Sequence, residues 1–421
     1  MKFILKGDIV YSKSYKELST NKNSYLLCED GKCKKIFSDI NDIPKDIKIY
    51  DYTGHIIIPG LVDLHLHAPQ YAFVGLHMDL ELLDWLNKYT FVEESKYKKL
   101  EYAKKAYDIF VNELKKSPTT RFAIFATLHR EATEYLFEKL EETNMKGYVG
   151  KVNQDINNID ILNETTKDSI DETYKWITNV KKYKNILPII TPRFISSCSN
   201  ELLNELSKIS IENHIPVQSH LLENTKEDAW VKELHKDVKT YTDCYKKFNL
   251  LGEENTIMAH CIWTSEYDKE LLKNDKVWVA HCPSSNRNLT SGIAPIKEYV
   301  ERGINVAIAT DVAGGSYISM FRAIEDTITA SKIRSIYVDK NYSNVTLEEA
   351  FYMATVGGGS FFGKVGKFEE GYDLDCIVLD ESNNPTVLMD ELSLTERLER
   401  YIYRPNEKIV AKFVNGVKID I

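Results

Sequence analysis

From about residue 56 onward the sequence alternates short apolar runs rich in β-formers with longer stretches whose apolar residues recur at three- and four-residue steps. Few folds tolerate that alternation, because consecutive parallel strands need long crossovers and helices are the usual ones. Eight runs read as strands: LVDLHLH near 61–67, RFAIFAT at 121–127, GYVGKV at 147–152, ILPIITPR at 186–193, IPVQSH at 215–220, TIMAHC at 256–261, VWVAHC at 277–282 and INVAIATD at 304–311. Segments such as EESKYKKLEYAKKAYDIFVNELKK and NELLNELSKISIEN, lying between them, read as helices. Eight such repeats predict a closed barrel.

The two ends differ. KFILKGDIVY, DCIVLD and KIVAKFVNGVKI are short alternating runs broken by turns at Gly31, Gly371 and Asn415-Gly416, which is the pattern of β-strands. The expectation is a composite β domain from residues 1–57 and 366–421 beside a catalytic barrel at 58–365. A length of 421 residues suits one large unit plus a small one. The net charge of -9 offers no basic surface to a polyanion, so no nucleic acid partner is expected. MKFILKGDIVYSK has too short an apolar run for a signal peptide, and no segment reaches the roughly 20 apolar residues of a membrane helix. No membrane partner and a cytoplasmic location follow as expectations. Seven scattered cysteines with no C-x-x-C read as reduced thiols.

In a barrel of this kind chemistry collects at the C-terminal ends of the strands. Strand one ends in His65 and His67, strand five in His220, strand six in His260, strand seven in His281 and strand eight in Asp311. Alternate residues on a strand share a face, so His65 and His67 can present two imidazole nitrogens to one ion, with Leu64 and Leu66 turned to the helices. Adding His220 and Asp311 gives three nitrogens and one carboxylate oxygen, a set that suits Zn²⁺ or Fe²⁺ and leaves a position for water. A lone H-x-H carries little weight. The weight comes from H-x-H, S-H-L-L-E, A-H-C and T-D-V-A-G-G each closing its own strand in barrel order. His55, His77, His129, His214 and His235 are read as ordinary polar residues.

At these residues the chain resembles the amidohydrolase superfamily, from PGLVDLHLH at the front to ATVGGGSFFGKVGKFEEGYDLDCIVLD near the end. HAPQY after the second histidine, LLDWLNKYTFVEES downstream and TPRF at the end of strand four narrow the resemblance to the guanine deaminases. The resemblance implies a distorted (β/α)8 TIM barrel with a small β-sandwich-like domain, working as a homodimer. It implies one Zn²⁺ per chain, with Fe²⁺ the alternative, held by His65, His67, His220 and Asp311. It makes Glu223 the proton shuttle, with Asp311 as proton acceptor and His260 as a hydrogen-bonding catalytic group. The substrate would be guanine, converted to xanthine and ammonia, with Gln70, Arg193 and Phe194 lining the base pocket next to His67, His220, Glu223 and Asp311. Arg193 offers only donors, which match the O6 acceptor of guanine; its alternative is a salt bridge under the barrel rim.

Rival readings are an aminohydrolase acting on cytosine, a modified purine or a triazine, and a two-metal enzyme with a carboxylated Lys151. A non-catalytic scaffold is disfavoured because every ligand and Glu223 are present. Two departures from the family pattern stand out: Arg287 in CPSSNRNLTSG, and GGGS at 357–360, which is glycine-rich for a helix.

Overall fold

A computed structural model describes residues 2–382, 384–404 and 408–421. All eight predicted runs carry barrel strands: Leu61–His67, Thr119–Phe125, Lys146–Gly150, Ile186–Pro188, Val217–Leu221, Thr256–His260, Trp278–His281 and Asn305–Ile308. The third and fourth runs break, and their continuations Val152–Asn153 and Thr191–Pro192 pair with each other. The barrel consists of two four-stranded parallel sheets. One seam is bridged at Ile190 and Val217. The other is closed by Asp311 N–H donating to the His65 carbonyl and His67 N–H to that of Val312, each at 2.9 Å. Closure is therefore made in part by the backbone of candidate ligands.

Inside the barrel Val62, Leu64, Ile257 and small residues such as Ala123, Ala259, Ala280 and Ala307 fill the floor. Leu66, Ile124, Met258, Val279 and Val306 face outward into the core formed with Phe110, Leu136 and Trp176 of the helices. Leu66 thus lies as expected, but Leu64 does not. Asp63 pairs with Phe122 and Leu66 with Ile124, so Leu64 and His65 together oppose Ala123. Such a bulge breaks strict alternation and turns both side chains inward.

The glycines at 357–359 have a packing reason. A Cβ on Gly357 would lie 2.3 Å from the Val306 carbonyl oxygen, and one on Gly358 would lie 2.9 Å from Val62 Cβ. The helix end rests directly on strands eight and one, an approach that side chains would block.

Both termini build one seven-stranded sheet, in the order Val417–Ile419, Ile409–Val414, Cys376–Leu379, Lys48–Pro59, Lys2–Ser14, Glu17–Glu29, Lys32–Phe37. Two strands separate Phe3 from Phe413, yet their rings stack at 5.7 Å. The sheet therefore curls over its own core, which gives it sandwich-like character without a second sheet. It is tied to the barrel by Arg121, which binds Asp373 at 2.6 Å and Asp375 at 2.5 Å. Lys412 adds a second tie, its Nζ donating to the carbonyls of Leu114, Lys115 and Thr119 at 3.3, 2.6 and 2.9 Å. Two of these are orphan carbonyls at the end of helix Leu100–Lys116. Lys412→Met removes the donor these buried carbonyls share, Leu114 alone among the helix-end pair keeping the Ser117 hydroxyl at 2.9 Å, and should cost about 1–3 kcal/mol, read as a lower urea midpoint with unchanged slope.

Among the described residues no helix is long and apolar enough to cross a membrane. All seven cysteines are free and buried.

Candidate active site

Side chains from strands one and five and from the end of strand eight converge. His65 Nε2 lies 3.3 Å from His67 Nε2, which lies 3.3 Å from His220 Nε2. Asp311 Oδ1 stands 3.2 Å from His65 Nε2 and 3.4 Å from His67 Nε2. Ligand atoms around an ion bonded at roughly 2.0–2.1 Å lie roughly 3.3–3.4 Å from their neighbours, and these four contacts have that spacing, with Asp311 beside His65 and His67 and more than 4 Å from His220, so the residues fit a zinc-like cation without forming a closed tetrahedron. Burial pushes His65, His67 and His220 well below the usual histidine range. Neutral imidazoles keep the lone pairs a metal needs. His220 Nδ1 donates to the Arg193 carbonyl at 2.8 Å, which leaves its Nε2 as the coordinating atom.

The backbone aims these groups by local irregularity. The bulge turns His65 inward. On strand six Ile257 and Ala259 face the interior, so regular alternation would turn His260 out. His260 instead takes a left-handed backbone, φ 70°, as does Asp311, φ 47°. Strained positions of this kind persist where the surroundings over-determine them. Asp63 supplies part of that restraint, accepting from Thr310 N at 3.1 Å and Thr310 Oγ1 at 2.5 Å. It thereby pins strand one to strand eight beneath the cluster.

Glu223 Oε2 approaches His260 Nε2 at 3.4 Å, and Asp311 turns its second oxygen, Oδ2, toward the same nitrogen at 3.8 Å. Burial, reinforced by the negative charge of Asp311, pushes the Glu223 carboxyl well above the usual range. Burial raises Asp311 to about 6, opposed chiefly by the neighbouring His260. The short helix Pro283–Asn288 and the turn that follows it support two of these groups. Asn286 Oδ1 accepts from His260 Nδ1 at 2.8 Å, and Ser291 Oγ donates to Glu223 Oε1 at 3.3 Å.

Neither Asn286 nor Ser291 is singled out by motif, although both lie in CPSSNRNLTSG. The polar density of a segment directly following a strand end was the available signal. Arg287, the odd residue there, clamps Asp326 with two nitrogens at 2.7 and 3.3 Å and so ties the short helix Pro283–Asn288 to helix Met320–Tyr337. Asn286→Ala should lower kcat about 10- to 100-fold with metal content unchanged, checked by steady-state kinetics beside elemental analysis.

Gln70, Arg193 and Phe194 are brought together next to His220. The Phe194 ring centroid lies 4.7 Å from that of His220, and the Arg193 charge helps depress both His67 and His220. The salt bridge considered for Arg193 exists, and its partner is Glu94. Two guanidinium nitrogens meet the Glu94 oxygens at 2.5 and 3.0 Å, and Gln70 Nε2 donates to the same carboxylate at 3.0 Å. Glu94 sits within the family-like stretch LLDWLNKYTFVEES, where sequence showed a helix but not which of its acidic residues is buried.

Two other residues lie apart. Lys151 is held by Glu164 at 3.2 Å. His281, which closes strand seven, faces away from the ion cluster into an outer cavity of about 230 Å³ beside Pro283, Ile293 and Ala330. Cys282 falls near His65, His260 and Asp311, but burial pushes its thiol far up, so it stays protonated.

Comparison with known proteins agrees with this arrangement. Residues 56–418 match the model of the amidohydrolase family. Guanine deaminase of Dictyostelium discoideum is 34% identical over 99% of this chain and 98% of its own. The crystal structure of guanine deaminase from C. acetobutylicum with guanine bound in the active site superposes with TM-score 0.96 at 44% identity, covering 100% of both chains. That of E. coli guanine deaminase gives 0.91 at 30% identity over 99% of each. With its ligand cluster, its closed barrel and these full-length likenesses, the chain belongs to the amidohydrolase family, in its guanine deaminase branch.

Proposed function

We propose that this chain hydrolyses guanine to xanthine and ammonia with one Zn²⁺ held by His65, His67, His220 and Asp311, Fe²⁺ being the alternative ion. The observation that carries the reading is the chain of four ligand residues whose neighbouring ligand atoms stand 3.2–3.4 Å apart, with Glu223 and His260 converging on it. A bound divalent ion supplies Lewis-acid activation of water at neutral pH.

The side chains perform the proton work. Asp311 presents one oxygen to the ligand cluster and keeps Oδ2 free to accept a proton from the attacking water. His260 carries its own proton on Nδ1, bonded to Asn286, so its neutral Nε2 accepts a hydrogen bond from that water. Glu223, whose carboxyl burial keeps protonated, gives its proton to a ring nitrogen as the amino-bearing carbon is attacked. Now a carboxylate, it takes the proton of the added hydroxyl as the new carbonyl forms and passes it to the amino group, which leaves as ammonia; the proton held by Asp311 then returns to Glu223 and restores both groups. Arg193 recognises O6, Gln70 pairs along the same edge, and Phe194 stacks on the base. The enzyme is placed in the cytoplasm as a homodimer. Light scattering at about twice the 48.5 kDa chain mass supports that assembly, and a monomer mass opposes it.

The direct test is xanthine formation from guanine, with cytosine and adenine as controls and metal measured on the same batch. Ammonia release from guanine alone, with one ion per chain, is the expected result. A preference for another ring would overturn the substrate, and two ions per chain would overturn the mononuclear centre.

A further inference from the structure

Glu94 touches both polar residues of the base pocket and none of the reacting groups. It is 3% exposed, sits one turn past the π-helical segment Leu86–Thr90, and faces Arg193 across a buried ion pair. Its Oε1 accepts from both Arg193 and Gln70. We propose that Glu94 is the positioning residue that sets base specificity, an inference that rests on the base-pocket assignment above.

Three consequences follow from its bonds. The two-point grip fixes the plane of the guanidinium, which also lies over Phe91 with its carbon 4.8 Å from the ring centroid. With both terminal nitrogens engaged, the Arg193 Nε–H is buried with no protein acceptor, a donor left for the oxygen of a base. Gln70 is held with its nitrogen on Glu94, so its oxygen is the end left for a ligand. Turning the amide over would set oxygen against carboxylate. The pocket therefore offers a donor from Arg193 and an acceptor from Gln70 on an edge with no net charge, which fits a neutral lactam such as guanine better than an anion or a 6-aminopurine.

The test uses the full-length, metal-loaded protein. Guanine kinetics are measured with Glu94→Gln, Glu94→Asp and Arg193→Met, together with competitive inhibition by 2-aminopurine, which lacks O6. Glu94→Gln should raise the guanine KM about 30- to 100-fold with kcat falling much less, because the lost alignment concerns recognition. Metal content should not change, and the 2-aminopurine inhibition constant should move less than about threefold, since that ligand never used the aligned donor. Glu94→Asp, which keeps the charge, should fall between Gln and the native residue. Equal losses for both ligands, or none for either, would overturn the role given to Glu94. Arg193→Met separates this from the underlying assignment: if it too leaves guanine selectivity intact, the base pocket itself has been misplaced.

Discussion

Glu223→Gln will retain its metal and lose turnover by about 10³- to 10⁴-fold. The amide fills the same buried space and can still take the Ser291 hydrogen bond at the position of Oε1. It cannot cycle a proton between solvent, ring nitrogen and leaving ammonia. Without that delivery the attacked ring gives up aromatic stabilisation with no compensating N–H bond. The measurement is kcat for guanine beside metal content on one preparation. Turnover within tenfold of the native enzyme, with metal bound, would remove Glu223 from the mechanism.

Asp311→Ala should be at least as damaging, with activity down by about 10⁴-fold or more, because one carboxylate serves two purposes. Its Oδ1 stands beside the ligand nitrogens of His65 and His67 while Oδ2 faces His260 as proton acceptor. Asp311→Asn separates the two: the amide oxygen can stay near His65 and His67, yet the group no longer takes a proton. Metal analysis should show Asn retaining more ion than Ala, while neither variant turns over guanine. An active Asp311→Asn would move the proton-accepting role to another residue, with His260 the nearest.

Much of this was legible in the chain. The strand runs were plain because parallel barrel strands are apolar on both faces and end in the polar residues that do chemistry. His65, His67, His220 and Asp311 could be read together because each closes its own strand. What escaped shares a physical character. Leu64 was assigned to the wrong face because alternation holds only until a bulge, and nothing in LVDLHLH marks one. Glu94 was hidden because a buried carboxylate on a short helix looks the same in sequence as its neighbour Glu93, which pairs with Lys96 and Tyr102 instead. Asn286 and Ser291 act through hydrogen bonds made across long sequence separations, which no local pattern encodes. Arg287 looked anomalous in a loop only because its partner, Asp326, lies a helix away.

The barrel seam carries a last consequence. His65 and Asp311 are joined there by a backbone hydrogen bond, and the same two residues point ligand atoms into one cluster, although most of the barrel lies between them in the chain. A cation seated in that cluster is therefore a clasp on the circle of strands, and its binding free energy adds to the stability of the closed form. Amide exchange on chelation should accelerate first at His67 and Asp311, where the ring is fastened, and only later on the opposite wall.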